Sequence, residues 1–128
     1  MSSYDIRDFE KTAKKRISKM VSKDQFDKEI QNIVNQLIRL YKPEKIILFG
    51  SLANDQIKQG TDIDLFIIKS DVPKLGVDRI RQLDALIKYS LATDFIVYKP
   101  QELEQRLKLG DPFVKTILKK GKVLYDAA

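Results

Sequence analysis

KIILFGSLANDQIKQGTDIDLFII, residues Lys45 to Ile68, holds two apolar runs joined by a linker with polar landmarks. Lys45 to Phe49 is nearly all apolar, the composition of a central strand covered on both faces. Gly50-Ser51 follows, then ten residues, then Asp62-Ile63-Asp64 at the head of a second apolar run. Leu52 to Lys58 reads as a short helix starting at Ser51, and Gln59-Gly60-Thr61 as the turn into a strand over Asp62 to Ile68. In a strand, residues two apart point to the same side, so Asp62 and Asp64 project together, about 6 to 7 Å apart at their bases. Two like charges so close at the end of a buried strand repel and lose hydration, which favours a shared cation. Oxygen-only donors select Mg²⁺ or Mn²⁺ over zinc.

Asp94 precedes a third apolar run, Phe95 to Tyr98, and joins the pair if the two strands are neighbours. Three aspartates can hold two divalent ions about 3.5 to 4 Å apart, the arrangement used for in-line attack on a phosphate. Gly50 permits close approach of a ligand to the backbone. Amide groups at the start of the next helix, with the Ser51 hydroxyl, can receive phosphate oxygens. Singly, each part has a structural use: Gly-Ser as a turn, Asp-x-Asp as a solvated strand end, Asp94 as a surface or capping residue. Their joint order, each at a strand terminus, points to Mg²⁺ and a triphosphate.

Working outward, Ser22-Lys23-Asp24-Gln25 looks like a helix start, and Phe26, Ile30, Ile33, Val34, Leu37, Ile38 and Tyr41 form a wide apolar stripe ended by Pro43. Ser2 to Met20 carries Ile6, Phe9, Ala13, Ile17 and Met20 at helical spacing, with Lys11, Lys14, Lys15 and Lys19 opposite. After a loop of Ser70, Asp71, Pro73 and Gly76, a helix with Val77, Ile80, Leu83, Leu86 and Ile87 extends to about Tyr89. Pro100 to Leu109 reads as a helix with Leu103 and Leu107 inward, ended by Gly110. Asp111-Pro112 restarts a helix bearing Phe113, Val114, Ile117 and Leu118, which stops at Gly121 before an edge strand over Lys122 to Tyr125.

The chain has 128 residues, 43% hydrophobic and 33% charged, the size and balance of one domain with a real core. There are no cysteines and no histidines. Disulfides, zinc sites of the usual ligands and imidazole acid–base chemistry are thereby excluded. No run reaches the ~20 apolar residues of a membrane span, and the polar start MSSYDIRDFEKT has no signal-peptide core, so a cytoplasmic protein is expected. The net charge of +6 suits a polyanionic partner, a nucleotide triphosphate, a nucleic acid or an acidic protein, and equally a lysine-rich solvated surface.

FGSLANDQIKQGTDIDLFII resembles the signature of the DNA polymerase beta-like nucleotidyltransferase superfamily, in which Asp-x-Asp follows Gly-Ser after nine or ten residues. The gap and the small size resemble the minimal nucleotidyltransferase (MNT) group. TDFIVYKPQEL is similar to that group's third-aspartate strand and LKKGKVLYD to its last segment, so the likeness runs from about Asn32 to Asp126. It implies an α/β (α+β) fold: a small mixed sheet of three to four strands packed with helices, a core over residues 22–126 and a helical extension over 1–21.

The same resemblance implies transfer of a nucleoside monophosphate, AMP by preference, from ATP or another nucleoside triphosphate to a hydroxyl. Asp62 and Asp64 would bridge two Mg²⁺ ions, Asp94 would hold the ion that activates the acceptor and take up its proton, and Gly50 and Ser51 would hold the β and γ phosphates. Many relatives carry arginines after Gly-Ser, where this chain has Leu52-Ala53-Asn54-Asp55, so two cations are missing and a carboxylate is added. Lys58, or a basic residue from elsewhere, would have to compensate. Only about thirty residues follow the third strand, so the acceptor site is expected to be completed by another subunit or protein. MNT proteins often act beside a small helical HEPN protein as the antitoxin of a pair. Alternatives are an antitoxin acting by contact alone, and a transferase acting on RNA or a small molecule.

Overall fold

The computed structural model describes residues 21–58 and 60–128. The helix expected over Ser2 to Met20 lies outside them. Helix α1 spans Lys23–Gln36 and continues as a π-helical turn, Leu37–Tyr41. Its start is the anticipated capping box: the Gln25 amide donates to Ser22 Oγ at 3.2 Å, and the Ser22 amide donates to Gln25 Oε1 at 2.8 Å. Strand β1 is Lys45–Phe49, β2 is Ile63–Ile68, β3 is Thr93–Tyr98 and β4 is Lys122–Asp126. Helix α2, Gly76–Leu86, lies between β2 and β3, and α3, Pro100–Lys108, and α4, Pro112–Lys120, lie between β3 and β4.

The strands form one mixed sheet in the order β3-β2-β1-β4. β1 runs antiparallel to β2 and β4, while β2 and β3 are parallel. The end of β1 and the beginnings of β2, β3 and β4 therefore share one end of the sheet. Alternation along each strand divides its side chains between two cores. Ile46, Leu48, Ile63, Leu65, Ile67, Phe95 and Val97 pack with α1 and with Leu83 and Ile87. Ile47, Phe66 and Ile68 pack with Leu103 and Ile117 on the α3–α4 face. Complete burial of Ile63, Leu65 and Ile67 contributes roughly 1.5 to 3 kcal/mol each. Among the described residues no helix is long and apolar enough to cross a membrane.

Several boundaries and side chains differ from expectation. Leu52 to Lys58 is not a helix: a 3₁₀ turn, Ser51–Asn54, ends at Asp55, whose backbone is left-handed at φ 55°. Asn and Asp tolerate that conformation and form turns, so the pair stops the turn after four residues. β2 begins at Ile63 and β3 at Thr93. α2 stops at Leu86, short of Tyr89, because α1 supplies the partners that a further helical turn would have supplied. Gln36 Oε1 accepts from the Lys88 amide at 2.9 Å, and Glu29 accepts from the Ser90 and Leu91 amides. Leu107, Val77, Leu86, Phe113 and Leu118 are exposed. Arg79, by contrast, is buried between α2, β3 and α3, donating to the carbonyls of Pro73, Lys74 and Val97 and to the Glu102 carboxylate.

Candidate active site

Asp64 is the residue of β2 that escapes burial; the other five are buried. It stands opposite Phe49 of β1 on one side and Asp94 of β3 on the other, so three strands present these residues in one row. By alternation with Phe66 and Ile96, Asp64 and Asp94 face the α3–α4 side of the sheet. Parallel pairing of β2 with β3 is what brings Asp94 to Asp64 across thirty positions of sequence. Asp62 lies two residues before Asp64, half-buried and just outside the ladder; Asp94 is exposed.

Burial pushes the Asp64 carboxyl up to about 6, aided by the Asp94 and Asp62 charges and by a side-chain hydrogen bond to Asp94. Three carboxyls are thus close enough to feel one another. Among the described residues no three of them are already gathered round a common point as ligands. Asp64 and Asp94 stand side by side across the β2–β3 ladder, with Asp62 two residues before Asp64.

Gly50 closes the row. Its backbone has φ 75° and ψ −155°, and a Cβ placed there would collide with Asp64 Oδ2. Only glycine lets the turn lie against that carboxylate. The Gly50 carbonyl accepts from the Ala53 amide at 3.2 Å and the Asn54 side chain at 3.4 Å, which holds the turn on the end of β1. Ser51, half-buried, begins the 3₁₀ turn. The carboxylate added at Asp55 is offset by α1, since Lys23 Nζ lies 3.3 Å from Asp55 Oδ1 at the surface.

Beside Gly50 opens a cleft of about 390 Å³ between the turn and α4. Asn54, Thr116 and Lys120 supply its polar lining, and Phe49, Phe113 and Ile117 its apolar walls. Phe113 meets Phe49 edge to face with ring centroids 5.8 Å apart. Sequence reasoning singled out Gly50, Ser51, Asp62, Asp64 and Asp94, and the structure brings Gly50, Asp62, Asp64 and Asp94 to one place, with Ser51 adjoining. It places no side chain of Lys58 in the cleft. The sequence reading passed over Thr116 and Lys120, whose one available signal was the glycine after Lys120. A Cβ at Gly121 would meet the Ile117 carbonyl and lie 2.6 Å from Ile47 Cγ2, so α4 ends hard against β1.

Residues 28–128 match the family model described as Polymerase beta, Nucleotidyltransferase. The chain is 34% identical over 101 residues to "Putative protein adenylyltransferase MJ0604" of Methanocaldococcus jannaschii, covering 77% of this chain and 97% of that one. It is 29% identical over 111 residues to "Putative protein adenylyltransferase MJ1305" of the same organism, covering 78% and 74%. A crystal structure of "a putative nucleotidyltransferase from Sulfolobus solfataricus" superposes with a TM-score of 0.60 at 19% identity, over 86% of this chain and 88% of that one, a likeness of fold.

Proposed function

The chain belongs to the polymerase beta-type nucleotidyltransferase family, and from that premise we propose that it transfers AMP from ATP to a hydroxyl of a partner protein, releasing pyrophosphate. The observation that carries the proposal is the row Gly50, Asp64, Asp94, with Asp62 beside it, at one end of the sheet. The names of the two Methanocaldococcus relatives favour a protein as acceptor and adenylate as the group moved. The resemblance to the MNT group favours a small helical HEPN-type protein as that partner and an antitoxin role.

The donor set fits a hard divalent cation: it contains only carboxylates, and burial, with their mutual repulsion, raises the central one. Asp62, Asp64 and Asp94 would hold Mg²⁺, which supplies charge neutralisation on the attacked phosphate and the departing pyrophosphate. The protein's own groups divide the remaining work. Gly50 and Ser51 offer backbone N–H groups and a hydroxyl to the β and γ phosphates, on the β1 side of Asp64. Asp94, exposed on the β3 side, faces the approach of the acceptor and takes its proton. The sheet end thus has a leaving-group side and an acceptor side, with Asp64 between them.

Incubation of the purified chain with Mg²⁺, ATP and a co-expressed operon neighbour, followed by intact-mass measurement, tests the proposal. A gain of one adenylate on the neighbour, absent with Asp62→Asn, is the expected result. A neighbour that binds the chain but keeps its mass with every nucleotide would overturn catalysis in favour of action by contact.

A further inference from the structure

The two arginines that many relatives carry after Gly-Ser are replaced here by Leu52 and Asn54, and the added carboxylate, Asp55, already occupies Lys23. A triphosphate at Gly50-Ser51 would therefore lack cations from its own turn. Across the sheet end the order is Asp94, Asp64, Phe49 with Gly50, then Lys122 of β4, which pairs with Leu48. The cleft beside Gly50 lies on the side of Asp64 away from Asp94, and Lys120 is the charged residue of its lining. Its seat is fixed by Gly121, where α4 packs so closely on β1 that no side chain fits. Among the described residues Lys120 takes part in no ion pair.

We infer that Lys120 is the cation that binds the terminal phosphates of the nucleotide, replacing from α4 the charge that the Gly-Ser turn has lost. The inference rests on the reading that Gly50 and Ser51 receive those phosphates. The apolar walls, Phe49, Phe113 and Ile117, lower the local dielectric and strengthen a lysine–phosphate contact relative to one in open water. Lys120 then discriminates triphosphate from monophosphate without touching the acceptor side. A structural use competes with this one: a lysine in the last turn of α4 complements the helix dipole.

Calorimetric titration of the full chain with Mg-ATP, Mg-pyrophosphate and AMP separates the two. Lys120→Gln should weaken ATP and pyrophosphate about tenfold, the loss of one charge-assisted contact, and leave AMP within twofold. Lys120→Arg should restore most of the loss, and Lys119→Gln, on the same helix turn but outside the cleft, should stay within twofold for all three ligands. An unchanged preference for ATP over AMP in Lys120→Gln, with a lower Tm, would overturn the inference in favour of the dipole role. Equal weakening of ATP and AMP would overturn it in favour of a nucleoside contact. A native chain that binds neither ATP nor pyrophosphate would overturn the nucleotide reading itself and the inference with it.

Discussion

Asp64 occupies a position where an interior strand favours an apolar side chain, and its raised pKa measures the cost. The folded state holds its proton more tightly than the unfolded chain, so between the ordinary value of 3.8 and about 6 the folded form binds more protons. Above pH 6 the ionised carboxylate therefore destabilises the metal-free fold. Asp64→Asn should raise Tm by about 4 °C at pH 7, for about 1 kcal/mol after discounting for partial exposure, while abolishing transfer. The advantage should fade as pH falls toward 4, and added Mg²⁺ should raise the Tm of the native chain only. Thermal melts at pH 4 and 7 with and without Mg²⁺ check both. Gly50→Ala adds a Cβ against Asp64 and forces a non-glycine residue to φ 75°. It should cost about 1 to 3 kcal/mol in denaturant titration and displace the carboxylate, with activity lost by at least about a hundredfold. Asp62, Asp64 and Gly50 were legible in sequence because a strand-end glycine and period-two aspartates leave local marks, while Asp94 joined them only on the condition that β2 and β3 are neighbours. Lys120 was not legible, because packing of α4 on β1 places it in the cleft beside Gly50, seventy positions away.

Among the elements, α1 sets the loop that delivers Asp94. Glu29 is buried, accepts from the Ser90 and Leu91 amides, and is steadied by the Asn32 side chain at 3.0 Å. Burial alone would raise its pKa, but these hydrogen bonds together outweigh it and hold the carboxyl below the usual range. Its contribution to stability is therefore present above the unfolded value of 4.5 and is lost as pH falls through the lower folded value. Glu29→Gln should cost about 2 kcal/mol at pH 7 in urea unfolding, since two amides then face a neutral acceptor. The deficit should shrink on acidification, and an equal deficit at pH 3 would contradict the charge-assisted account. The strands and both capped helix starts, Ser22 and Asp111, could be read from periodicity and caps, whereas the mixed sheet of three to four strands came from the family resemblance; the structure has four. The 3₁₀ turn after Gly50 could not be read, because Leu52 and Ala53 fit a helix and the turn stops only where Asn54 and the left-handed Asp55 follow. The early end of α2 was equally hidden, since its cause is a set of hydrogen bonds from a helix fifty positions earlier.

For the molecule as a whole, one end of the sheet gathers the carboxylates, the Gly-Ser turn and the cleft, while Arg79 and Glu102 brace the far end of β3. The central claim, transfer of a nucleotide by this end of the sheet, is tested most directly with α-phosphate-labelled ATP, Mg²⁺ and candidate acceptor proteins. The native chain should be compared with Asp62→Asn and Asp64→Asn. The account predicts label on a discrete protein band with the native chain and a loss of at least about a thousandfold in either variant. Label appearing equally with all three chains, or with none while ATP and acceptor both bind, would contradict it.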